Sequence, residues 1–134
     1  DSILMIGDKV VSSTNETEYP YELDLGEAWK ELTGLPFVFA VWMGKIDLAQ
    51  EIVNVVAMTL ERQLKLNLQR LEGVVSTSAP QRGWDKLEAL EYVGETMQYV
   101  WTDRHETSLA LFFKRANEMG IISSSFKIQF FDWE

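Results

Sequence analysis

Residues Phe37-Val38-Phe39-Ala40-Val41-Trp42 form an apolar run with no polar interruption, built mainly from β-branched and aromatic side chains. Such a run has no polar face to turn to water, so it reads as a strand buried on both faces, the kind found in parallel sheets. Pro36 stands just ahead of it and stops any helix arriving from the Gly34 side. A buried strand needs neighbours. Ser2 to Ile6 is a short apolar run ended by Gly7-Asp8, and Phe126-Lys127-Ile128-Gln129-Phe130 alternates as an extended segment does. Tyr19 to Leu25 reads as a short extended stretch kept at an edge by Pro20. Residues 12–18 have loop composition.

Helical patterns fill most of what is left. Asp24 can cap a helix over Gly26–Leu32, with Gly34 placed for a left-handed C-cap. From Asp47 to about Leu71 the residues Ile52, Val56, Leu60, Leu64 and Leu68 recur every fourth position, with Val53 and Leu71 widening the stripe. Gly73 or the stretch Ser76–Pro80 is expected to end that helix. A further helix is expected from Trp84 to Gly94. The last runs from about Arg104 to Met119, with Leu109, Phe112, Phe113 and Ala116 facing inward and Gly120 as C-cap. The fold class is therefore α/β. Three strands at most can be counted, and the first opens the chain, so the remaining strands are expected in sequence not present here.

Chemistry is harder to find. The 134 residues have no cysteine, which removes disulfides, thiol nucleophiles and thiolate metal sites. A net charge of −9 repels phosphate backbones and anionic lipid, so neither nucleic acid nor a membrane surface is an expected partner. The longest apolar run, Leu35 to Met43, is too short to span a bilayer. The sole histidine, His105, sits at a helix start beside Asp103 and Glu106 and reads as a solvated side chain. No metal site is expected. Gly7-Asp8-Lys9 is more suggestive, because open α/β sheets present ligands at strand ends. The competing reading makes Asp8 a helix cap and Lys9 a solvated cation. Trp42 and Lys45 flank Gly44 at the end of the apolar run, where Trp42 could line a pocket or simply pack.

Gly7-Asp8-Lys9, followed by Leu23-Asp24-Leu25-Gly26-Glu27-Ala28-Trp29 and by Thr33-Gly34-Leu35-Pro36-Phe37-Val38-Phe39-Ala40-Val41-Trp42, resembles the chorismate dehydratase family of menaquinone biosynthesis (the futalosine pathway). Tyr99, Leu109, Phe112, Ala116 and Gly120-Ile121-Ile122 are similar to that family's closing helix. The resemblance implies two α/β lobes of the type II periplasmic-binding class, with the amino-terminal half missing here. Residues 1–34 would end the second lobe, 35–45 would form the crossover strand and hinge, and 46–134 would return to the first lobe. It also implies a cytoplasmic lyase that dehydrates the small anionic substrate chorismate without metal or organic cofactor. Gly7, Asp8, Lys9 and Trp42 are the substrate-binding candidates, and no catalytic residue is assigned. The alternatives are a non-catalytic carboxylate-binding protein of the same fold, and an interaction domain that completes its sheet with a second copy. The isolated chain is expected to self-associate through the face left by the missing lobe.

Overall fold

A computed structural model describes residues 2–7, 19–123 and 128–132. The chain divides into two compact units, one made of residues 1–22 and 55–99 and the other of residues 23–54 and 100–134.

In the second of these, Asp24 caps helix α1 (Leu25–Thr33) by accepting from the Gly26 and Glu27 amides at 2.7 and 3.0 Å. Gly34 closes the helix in the left-handed region at φ 71°, its N–H donating to the Lys30 carbonyl at 2.8 Å. Both ends are where the sequence places them, because a short carboxylate and a side-chain-free residue satisfy the orphan groups of a helix end locally. Helix α2 (Gln50–Gln69) begins in this unit. The closing helix, named α5 below, spans Asp103–Glu118 and is followed by Gly120 at φ 71°. There the Gly120 and Ile121 amides return to the Asn117 and Ala116 carbonyls, both at 2.9 Å.

In the other unit α2 runs on to Gln69 and breaks at Arg70, whose ψ of 26° leaves the helical range. Helix α3 (Leu71–Ser78) resumes at once, so the expected single helix is two. Gly73 lies inside α3 and does not end it, since one glycine costs a helix only about 1 kcal/mol. Pro80 does, opening a single 3₁₀ turn, Pro80–Arg82. Asp85 then caps helix α4 (Lys86–Glu91), and the chain widens into a π-helical turn over Tyr92–Thr96 where a longer α-helix is expected. Gly94 lies in that turn so close to Leu71 that an added Cβ would meet its Cδ2 at 2.7 Å. Val75, Ala79 and Ala89 are the buried core here, covered by Leu71, Trp84 and Leu90.

No strand forms among the described residues. Residues 2–6 and 37–42, both expected as strands, carry no regular structure, and most of their side chains are exposed. A strand is defined by the ladder it shares with a neighbour. No described segment supplies one, so the architecture seen is helical. Of the third expected strand, residues 126 and 127 lie outside the described residues. The apolar stripe of α2 also differs from expectation: Ile52, Val56 and Leu68 are exposed, and no residue of α2 is fully buried.

Candidate functional site

Of the four substrate-binding candidates, Asp8 and Lys9 lie outside the described residues. Gly7 makes the expected turn, at φ 68°, a left-handed conformation that suits glycine best. Trp42 belongs to the other unit and is 84 % exposed, with Met43 beside it at 87 %. Its side chain faces solvent in this unit.

The chain from Gly34 to Phe39 is tied to α1 and α5. Ser108 of α5 is 1 % exposed, and its hydroxyl donates to the Pro36 carbonyl at 2.5 Å while accepting the Trp29 indole N–H at 2.8 Å. One turn earlier on α5, Arg104 donates to the Gly34 carbonyl at 2.6 Å. Trp29 packs edge-on against Phe37 and Phe112, with centroids at 6.1 and 5.6 Å. Phe37 in turn meets Phe39 at 4.8 Å. Gly26 admits the Phe39 ring, since an added Cβ would sit 2.7 Å from Cζ. Thr33 bridges the helix end, donating to the Trp29 carbonyl at 2.7 Å and accepting from the Leu35 amide at 3.1 Å. The residues of the 23–37 motif thus have stated structural duties: Asp24 and Gly34 cap, Gly26 clears a ring, Trp29 anchors, and Thr33 and Pro36 route the chain.

Ser108 was not legible as a site residue. The signal for it is its register: it stands four positions before Phe112 and eight before Ala116, on the face that faces inward. A serine at such a place must find partners for its hydroxyl. Leu109 and Phe113 are half-buried and Ala116 is buried, as the helix pattern requires, while Phe112 stays partly open.

His105 is not simply solvated. Its Nδ1 lies 3.2 Å from the Thr102 backbone N–H and 2.8 Å from the Thr102 hydroxyl, so the imidazole helps cap α5. The ring also stacks on Trp101 with centroids 5.8 Å apart. Among the described residues no group of three or more His, Cys, Asp or Glu side chains could hold a metal ion. No helix there is long and apolar enough to cross a membrane.

Burial, with a smaller contribution from the neighbouring Tyr92 phenol, raises the pKa of Tyr99 above the ordinary phenol value. The Tyr99 hydroxyl donates to the Val93 carbonyl at 3.1 Å, a bond available only to the neutral form. A raised folded pKa contributes stability that is complete below about pH 10 and is lost as pH climbs through the folded value. Stability measured from pH 8 to 11 should fall more for the native chain than for Tyr99→Phe. Parallel curves would remove Tyr99 as the source.

These elements define a helical chain whose motif residues hold backbone in place and whose described residues include no group that could hold a metal ion. A family model described as menaquinone biosynthesis matches residues 1–118, and the chain belongs to that family. Its role lies in menaquinone biosynthesis. No solved structure matches the chain at a significant level.

Proposed function

We propose that the chain is the carboxy-terminal part of a chorismate dehydratase, a carbon–oxygen lyase forming 3-[(1-carboxyvinyl)oxy]benzoate. The observation that carries this reading is the family match over residues 1–118, within which the motif from Leu23 to Trp42 falls. On this reading the parent protein is a two-lobed α/β enzyme acting in the cytoplasm. Residues 1–34 end its second lobe, 35–45 cross over as strand and hinge, and 46–134 return to the first.

The reaction breaks a ring C–O bond and a neighbouring C–H bond, forms the last ring double bond and releases water. Aromatisation drives it, so the protein has to orient the ring, take the proton and assist the departing hydroxyl. The substrate's two carboxylates ask for cations and backbone N–H donors. In this assignment Gly7, Asp8, Lys9 and Trp42 are the substrate-binding residues, Lys9 as a cation that suits a carboxylate and Trp42 as an aromatic face that suits the ring.

The test is turnover of chorismate by the full-length gene product, followed by absorbance of the aromatic acid and confirmed by mass. Lys9→Ala and Trp42→Ala should each raise KM by about tenfold, the loss of one charged or stacked contact. Binding without turnover would replace this reading by a non-catalytic carboxylate-binding protein of the same fold. The isolated 134-residue chain should self-associate, since exposed Leu32, Phe39, Trp42, Met43 and Ile46 are apolar surface in need of cover. A sharp monomer in light scattering at micromolar concentration would count against that.

A further inference from the structure

We propose that Ser108 is a positioning residue for Trp42, acting through the backbone of residues 34–39. This inference rests on the assignment of Trp42 to the substrate site. The contacts that pin that stretch lie within one compact unit. Arg104 holds the Gly34 carbonyl and Ser108 the Pro36 carbonyl, at 2.6 and 2.5 Å. Phe37 is fixed between Trp29 and Phe112, and Phe39 lies on Gly26. Beyond Phe39 the side chains open to solvent, ending in Trp42 and Met43.

Ser108 is central to this arrangement because its one hydroxyl serves both sides. It donates to Pro36 and accepts from Trp29, so it joins α1, α5 and the stretch between α1 and Trp42 through one atom. A serine that only filled space could be an alanine. This one closes a part-buried chain of hydrogen bonds, and removing it takes from the Pro36 carbonyl and the Trp29 indole the protein partner each has there. The first consequence is freedom of the backbone at Pro36, from which the chain runs on to Trp42. An aromatic side chain with 84 % exposure has little packing of its own to fix it, so its position depends on that backbone.

The experiment uses the full-length gene product and four variants: Ser108→Ala, Trp29→Phe, Trp42→Ala and the Ser108→Ala/Trp42→Ala double. Trp29→Phe removes only the indole donor and serves if Ser108→Ala fails to fold. Chymotryptic cleavage after Phe37, Phe39 or Trp42 should quicken about tenfold in Ser108→Ala, with cleavage after Trp84 or Tyr92 unchanged. KM for chorismate should rise about tenfold in Ser108→Ala, with kcat changed much less. In the Trp42→Ala background the same serine change should add almost nothing to KM, because the residue it positions is already gone. Additive losses would show Ser108 to be purely structural and overturn the proposal. Should the native protein neither bind nor turn over chorismate, the functional assignment fails. The serine's effect on 37–42 is then decided by proteolysis alone, and an unchanged cleavage rate there overturns it.

Discussion

Trp29→Ala is expected to destabilise the unit that holds α1 and α5 by about 3 kcal/mol, the lower end of the range for losing a large aromatic from a core. Trp29 is half-buried, which sets the lower end. Two losses combine. The ring takes with it edge-on contacts to Phe37 and Phe112 at 6.1 and 5.6 Å, and the indole N–H leaves the Ser108 hydroxyl with a donor missing. Trp29→Phe separates them, keeping most of the ring contacts and losing the donor alone, at about 1 kcal/mol. Urea unfolding followed by circular dichroism gives both values. A loss in Trp29→Phe as large as in Trp29→Ala would mean that the hydrogen bond dominates and the aromatic cluster contributes little.

The second large effect lies in the other unit. Ala89 is 2 % exposed, in the core with Val75 and Ala79. Leu71, Trp84 and Leu90 pack over these three side chains. Ala89→Asp places a carboxylate there with no cation among the core residues and should cost about 4 kcal/mol at pH 7. Ala89→Ser, close in volume, should cost about 1 kcal/mol. The deficit of Ala89→Asp relative to the native chain should shrink as pH falls toward 4, since burial raises the pKa of the new carboxyl and protonation removes its charge. A deficit independent of pH would point to crowding in place of charge burial.

Much of the local structure was readable because it depends on near neighbours in the chain. Asp24, Gly34 and Gly120 mark helix ends through bonds that reach no more than five residues away. The turn at Gly7 and the stop at Pro80 follow from backbone geometry of single residues. Of the candidate residues, Gly7 makes the turn its sequence predicts and Trp42 is exposed, while Asp8 and Lys9 lie outside the described residues.

Tertiary structure alone decided the rest. Whether Phe37–Trp42 is a strand depends on a partner for its ladder, which the run itself cannot encode, and among the described residues none is present. The stripe of α2 has the right period to be buried, yet burial needs something laid against it, and Ile52, Val56 and Leu68 remain exposed. Ser108 looks like a polar interruption of an apolar face until Trp29, 79 residues away, and Pro36 are brought to its hydroxyl. The sequence by itself determined both ends of α1 and the close of α5, because capping is chemistry between neighbours. Which of their faces found partners, and that a buried serine secures the stretch leading to Trp42, was decided by contacts between residues far apart in the chain.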